Sequence, residues 1–305
     1  MKIGITCNVV WHGMPVVDFA KAAEDLGFES IWMGEHIIIP KTVRREFLNG
    51  GQVPETYRHM PSPFIWLTAA AVATKTLKLG TNVCLVPQRN PFGLAKDIAC
   101  LDQISGGRFL FGAGAGWIDE EAEIMGFPHE ERWPRTMEYL EVIKKLWTEE
   151  EPSFEGKYIS FPPVYSYPKP VQKPHPPIIL GGGGPTRNNM PILRRVAQFA
   201  DGWAPGYFTP SEIGALLQTL RGLCEEYGRD YDALELSLIM PAAILGVGEA
   251  YASLGTRDHA AVNARELIAQ YEEVGIKRIL MGMVDPTRED GLRNMEKAAK
   301  GLGLS

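Results

Sequence analysis

A closed α/β barrel of the TIM (β/α)8 type is the fold class the sequence predicts, and three observations predict it. Apolar runs too short for helices alternate with amphipathic helical stretches along the whole chain, the rhythm of parallel βα units. Eight such units succeed one another, which suits a closed barrel rather than an open sheet. The length, 305 residues with 45% apolar, suffices for one barrel with a large core, so residues 1–305 are expected to form a single domain.

In chain order, the first strand is read over Ile3 to Thr6. A helix follows with Val16, Phe19, Ala20, Ala23 and Leu26 as its apolar stripe and Gly27 as its stop. Ser30 to Met33 is the second strand. Residues 37–60 are polar and turn-rich, and a loop of that length is expected to lie over the barrel mouth as a functional insertion. Pro61 and Pro63 open a helix that runs through Phe64, Leu67, Ala70, Ala71 and Ala73. Leu77 to Cys84 reads as the third strand, and Asn90-Pro91 introduces a helix over Phe92 to Ile104. Ser105-Gly106-Gly107 stops that helix and turns the chain into the fourth strand, Arg108 to Phe111. Trp133 to Trp147 carries the next helical stripe. Residues 149–176 break the rhythm before the fifth strand. Phe154 to Ile159 looks like a hairpin, and the prolines after it forbid regular structure, so a surface excursion is expected. The remaining strands are read over Pro177 to Leu180, Asp201 to Ala204, Leu234 to Met240 and Lys277 to Met281. Their helices are read over Ile192 to Phe199, Ile213 to Tyr227, Ala261 to Val274 and Gly291 to Leu302.

A net charge of −6 with scattered Lys and Arg shows no basic stripe, so nucleic acid is not the expected partner and a small molecule is. Cys7, Cys84, Cys100 and Cys224 have neither CxxC nor metal spacing, and reduced thiols of a cytoplasmic protein are expected. The start MKIGITCNVV enters a strand directly, and no apolar run approaches the ~18 residues of a membrane span, so no membrane partner is expected.

In a barrel of this type the working face is the carboxyl end of the strands. That rule selects Asn8, Glu35 with His36, Asn82 to Leu85, Ala113 to Trp117, Gly181 to Arg187, Trp203 to Tyr207, Met240 and Met283. The set is aromatic and poor in charge, which suits a planar apolar ring. His36 can exchange a proton at neutral pH, or it can simply bond a neighbouring strand end. Glu35 either orients His36, binds a ligand hydroxyl, or points into the barrel wall. The alternation Gly112, Gly114 and Gly116 with Ala113 and Ala115 leaves little side-chain bulk before Trp117. Such a stretch lets main-chain amides approach a flat or anionic ligand, or lets a helix pack closely on the strand. It lacks the GxGxxG spacing of a dinucleotide fingerprint. Gly181, Gly182, Gly183 and Gly184, followed by Thr186 and Arg187, read either as an anion cradle or as a flexible turn. Arg194 and Arg195, inside the next helix, read as solvated charge. The six histidines show neither HxH nor HExxH spacing, and no metal is expected.

The motifs KIGI, AAEDLGFESIWMGEH, LKLGTNV, RNPFGLAKDIACLDQISGGRFLFGAGAGW, an RT at Arg135-Thr136, PKPVQKPHPPIILGGGG and ADGWAP, in this order, resemble the luciferase-like monooxygenase superfamily. More narrowly they resemble its branch of F420-dependent (deazaflavin) oxidoreductases, from Lys2 to about Pro205. The resemblance implies a flavin-type ring at the barrel mouth, F420 or alternatively FMN, and commonly a homodimer. It implies a non-prolyl cis peptide at Asn82-Val83 behind the ring, with Cys84 beside it. Gly114, Ala115, Gly116 and Trp117 would line the cofactor, Gly181 to Gly184 with Arg187 would take its phosphate, and His36, with Glu35, would stand near the reacting atom. Relatives that oxidise a sugar phosphate carry a Glu where Trp117 stands, so that substrate is not expected. Three functions follow as expectations: F420-dependent hydride transfer on a small organic substrate, an FMN-dependent monooxygenase, or a non-catalytic flavin-binding barrel. An aldolase-type barrel is disfavoured, since no strand end carries a Lys for Schiff-base chemistry.

Overall fold

The computed structural model describes residues 1–7, 13–44, 52–241, 264–283 and 288–304. The chain begins with β1 (Lys2–Cys7), α1 (Val16–Asp25), β2 (Ser30–Met33), α2 (Pro63–Ala73), β3 (Lys78–Thr81), β4 (Cys84–Leu85), α3 (Pro91–Ser105) and β5 (Phe109–Gly114). It continues with α4 (Asp119–Ile124), α5 (Arg132–Thr148), the short strands β6 (Phe154–Glu155) and β7 (Ser160–Phe161), and β8 (Ile178–Gly181). The last elements are α6 (Met190–Phe199), β9 (Gly202–Ala204), α7 (Pro210–Glu226), β10 (Glu235–Pro241), α8 (Ala264–Glu273), β11 (Arg278–Met283) and α9 (Arg288–Leu302). Eight parallel strands pair in the ring β1-β2-β3-β5-β8-β9-β10-β11, and β11 pairs with β1 to close it. The barrel is therefore as the sequence predicts.

The helix starts follow local chemistry. The Asn90 side chain accepts from the amides of Phe92 and Gly93 ahead of Pro91, and Gly106, at φ 64°, ends α3 in the left-handed region. Thr209 and Glu212 form a reciprocal capping box for α7. The 149–176 excursion holds the hairpin β6-β7, whose turn amides at Lys157, Tyr158 and Ile159 donate to the Glu138 carboxylate. Its far end is tied down where Gln172 meets the buried Asp102.

Two departures shape the mouth. The predicted third strand is broken at Asn82-Val83, whose peptide is cis as the resemblance implies. Gly80 pairs with Leu110 but Cys84 pairs with Ala113, so this side carries one extra residue, a bulge that pushes Asn82-Val83 out of the ladder. The fourth strand, in turn, does not stop at Phe111 and runs on through Gly114.

A large core fills the space between helices and sheet, while Trp32, Leu110, Ile179, Ala204 and Leu280 fill the inside of the barrel. Side chains alternate along a strand, so the inward positions that follow Leu110 are Gly112 and Gly114, and the one that follows Ile179 is Gly181. The barrel is thus packed in its middle and bare at its carboxyl rim. Asn8 and part of the 37–60 insertion, residues 45–51, lie outside the described residues.

Candidate active site

Above the packed layer lies a cavity of about 480 Å³ at the carboxyl ends of β2, β3, β5 and β8. Of the residues selected from sequence, Glu35, His36, Asn82, Val83, Leu85, Gly114, Ala115, Gly116, Trp117, Gly181, Gly182, Gly183 and Arg187 line it. Cys84 and Gly184 do not. Cys84 is fully buried in the core, and burial together with the nearby Glu35 charge pushes its thiol well up. Trp203 and Met240 are likewise core residues, and Trp203 donates its indole N–H to the carbonyl of Gly182.

Val83 decides the shape of the floor. An added Cβ on Gly114 would lie 2.4 Å from Val83 Cγ2, and one on Gly181 would lie 2.4 Å from Val83 Cγ1. A Cβ on Gly112 would lie 1.7 Å from the carbonyl oxygen of Thr81. These glycines accommodate the bulge, a role that neither reading of the GAGAG stretch contained. A Cβ on Gly116 or Gly182, both at positive φ, would meet nothing closer than 3.5 Å, in ordinary contact with Gln88 and with Trp133 respectively.

Glu35 takes the third of the roles left open for it. Its carboxylate accepts from the Leu85 amide at 2.9 Å and pairs with Arg89, so it is fixed in the barrel wall and does not touch His36. The partner of His36 is instead Glu121, whose Oε1 and Oε2 lie 3.1 and 3.0 Å from Nδ1. Both side chains are shielded from solvent, Glu121 completely. The His36 ring packs 5.1 Å from Tyr57 and meets Trp117 edge-on at 6.3 Å. Glu121 belongs to the short helix α4, and Tyr57 to a single turn over Glu55–His59 within the insertion.

A second group of lining residues is cationic: Arg132, Arg187 and Arg195. The Arg195 guanidinium lies 4.6 Å over the Trp133 ring, so it is not the solvated charge expected from sequence. Burial and the neighbouring Arg132 both push the Arg195 pKa down. Neither Arg187 nor Arg195 has a carboxylate partner among the described residues. The glycine loop beside them is held by Asn189, whose Oδ1 accepts from the Gly184 amide at 3.0 Å and whose Nδ2 donates back to the Gly184 carbonyl. That amide is therefore already engaged.

Arg132, Arg195, Trp133, Tyr57 and Glu121 were not selected by sequence reasoning, because none of them follows a strand directly. A signal for α4 existed in Asp119-Glu120-Glu121, acidic residues in a first turn ahead of Ala122 and Ile124. Among the described residues no three His, Cys, Asp or Glu side chains gather as a metal site, and no helix is long and apolar enough to cross a membrane.

Comparison with known proteins bears on this cavity. A family model described as luciferase-like monooxygenase matches residues 13–298. An uncharacterized protein of Mycobacterium tuberculosis is 30% identical over 99% of both chains. An F420-dependent glucose-6-phosphate dehydrogenase of Kineococcus radiotolerans is 31% identical over 70% of this chain and 59% of its own. The oxygenating constituent of 3,6-diketocamphane monooxygenase from Pseudomonas putida, solved in complex with FMN, superposes with a TM-score of 0.74. It is 16% identical over 99% of this chain and 98% of its own.

Proposed function

This chain belongs to the luciferase-like monooxygenase family, and on that premise we propose that it is a flavin-type oxidoreductase that uses the deazaflavin F420 to move a hydride to or from a small, mainly apolar organic substrate. The observation that carries the reading is one cavity in which an apolar floor, formed by Val83 lying over Gly114 and Gly181 and continued by Gly116 and Gly182, accompanies three guanidiniums. A planar ring fits the first and an anionic tail the second. The cationic group invites an anion on its own account, since Arg187 and Arg195 have no carboxylate partner among the described residues and an anion would relieve the repulsion of Arg195 by Arg132.

Asn82, Val83, Gly114, Ala115, Gly116, Trp117 and Gly181 would hold the ring, and Gly182, Gly183, Arg132, Arg187 and Arg195 its phosphate. When bound, a deazaflavin supplies two-electron chemistry, because carbon stands where a flavin has its central nitrogen. His36 takes up or gives the proton that balances the transfer. Tyr57, Met60 and Trp117 surround it with apolar surface and keep bulk water from the reacting face.

F420 is preferred to FMN on the likeness to the F420-dependent sequence relative, which is closer in identity than the FMN-bound structure. FMN is the second reading, supported by that structure. Titration of the purified protein with each cofactor separates them, and tight binding of FMN with none of F420 would overturn the preference. Replacement of His36 by Ala is expected to lower turnover about 10²-fold or more while cofactor binding persists. Unchanged turnover would overturn the catalytic role of His36, whereas cofactor binding with no turnover of any substrate by the wild type would leave a barrel that only binds a flavin.

The proposal extends to a cytoplasmic homodimer. Helix α2 has no charged residue and leaves Ile65 and Val72 70% and 76% exposed, a face suited to a second copy. Sedimentation of the wild type against Ile65→Asp tests it, the variant being expected to run as a monomer.

A further inference from the structure

We propose that Glu121 is the positioning residue of the site, holding His36 with its proton on Nδ1 so that Nε2 alone gives and takes protons. The inference rests on the reading of His36 as the proton-handling group, and its geometric half can be tested without that reading. A carboxylate is only an acceptor, and both Glu121 oxygens are 3.0–3.1 Å from the one ring nitrogen. The Glu121 side chain has no exposed surface, and among the described residues its oxygens have no other partner. A ring turned to offer a lone pair at Nδ1 would leave a buried carboxylate without a donor, which is strongly disfavoured. The Nδ1–H therefore stays on Glu121, and only Nε2 changes protonation.

The groups that face His36 permit this assignment. Tyr57 and Trp117 contribute rings. The adjacent Glu35 is engaged by Arg89 and the Leu85 amide. Glu120 and Glu123, on the same helix as Glu121, are paired with Arg44. His129 lines the same cavity and is paired with Asp119 at 3.1 Å. Glu121 is thus the carboxylate that both touches the ring and is not bound to a cation elsewhere. The arrangement is that of a base whose orienting acid sits behind it, away from the reacting face.

The test is long-range ¹H–¹⁵N correlation on histidine-labelled protein, with the His36 signals assigned by their loss in His36→Gln. Neutral His36 is expected to show a protonated Nδ1 and a bare Nε2, and the reverse tautomer would overturn the proposal. In Glu121→Leu neutral His36 is expected to lose its preference for a protonated Nδ1, because the acceptor that holds that proton is gone, whereas Glu121→Gln, whose side-chain oxygen can still accept, should keep it. kcat/KM should fall in Glu121→Leu and be partly restored in Glu121→Gln, and the Kd for cofactor should stay within a few-fold of wild type in both. An unchanged tautomer in Glu121→Leu would also overturn the proposal. Should Glu121→Leu not fold, the wild-type tautomer alone decides. If the tautomer is as stated while His36→Gln leaves turnover intact, the orientation by Glu121 holds and the catalytic reading of His36 is what fails.

Discussion

Val83 sits where Gly114 and Gly181 would otherwise carry side chains, and the two contacts give the glycines a physical reason that can be tested. Gly114→Ala or Gly181→Ala should destabilise the fold by about 1–3 kcal/mol through overpacking, and should weaken cofactor binding by moving Val83. Val83→Ala removes the obstructing methyl groups, so the double variant Gly114→Ala/Val83→Ala should be more stable than Gly114→Ala alone. Thermal unfolding and cofactor titration read both effects, and a double variant no better than the single would dissociate the glycine from Val83. Glu35 calls for the opposite test, because its carboxylate is buried in the wall, where it pairs with the half-buried Arg89. Glu35→Ala leaves the Leu85 amide and Arg89 without that acceptor and should cost about 1–3 kcal/mol in urea denaturation. Sequence could select His36 because it follows a strand, but it could not find Glu121. Consecutive residues in extended chain point to opposite sides, so Glu35 is badly placed to orient its neighbour, and the group that does so arrives 85 positions later.

Among the elements, the strands and long helices were legible because alternation and a 3.6-residue stripe survive in stretches of this length. Helix α4 was not, since Asp119–Ile124 is too short for a period to appear, although it carries Glu121. The break in the third strand was hidden from periodicity for a different reason, since Leu77 to Cys84 reads as one extended run and the extra residue shows only in how the strand pairs. The cis peptide at Asn82-Val83 is implied by the family resemblance alone. The 37–60 insertion was identified by its length and its polar, turn-rich composition, while its attachment depends on contacts distant in sequence. The Arg44 amide donates to Glu120, and its guanidinium pairs with Glu120 at 2.5 Å and Glu123 at 2.6 Å, joining the insertion to α4. Arg44 and Glu123 are largely exposed, so salt should screen their part of this contact. Limited proteolysis within 37–60 is expected to quicken with ionic strength in the wild type. In Arg44→Ala it should be fast at low salt and nearly indifferent to added salt. Equal salt dependence in both proteins would mean that the insertion is held by something else.

At the scale of the barrel, stability and the mouth are built at opposite ends of the same strands. Arg278, fully buried on β11, reaches Glu29 just before β2 and Glu235 on β10, and so ties strands on both sides of the closure between β11 and β1. Burial alone would raise the Glu29 carboxyl, but the Arg278 hydrogen bonds and charge, with help from Ser30 and Lys78, reverse that and lower it to about 2. Glu24, with burial likewise opposing, is lowered to about 2 by the amides of Thr76, Leu77 and Lys75 and the Thr76 hydroxyl, fastening α1 to the turn before β3. A carboxylate whose folded pKa is depressed stabilises the fold above its unfolded pKa. That stabilisation is lost as pH falls from the unfolded value of 4.5 through about 2. The urea midpoint should therefore hold above pH 5 and decline steadily below it. Glu29→Gln should be less stable than wild type at pH 7 and should decline less steeply in acid, because one of the two titrating groups is gone. Since Arg278 and Leu280 are successive inward residues of β11, the packed layer of Trp32, Leu110, Ile179 and Leu280 separates this knot from the cavity. Glu29→Gln should accordingly leave the cofactor Kd at pH 7 unchanged, and a Kd that moved with the lost stability would show that the packed layer does not insulate the two ends.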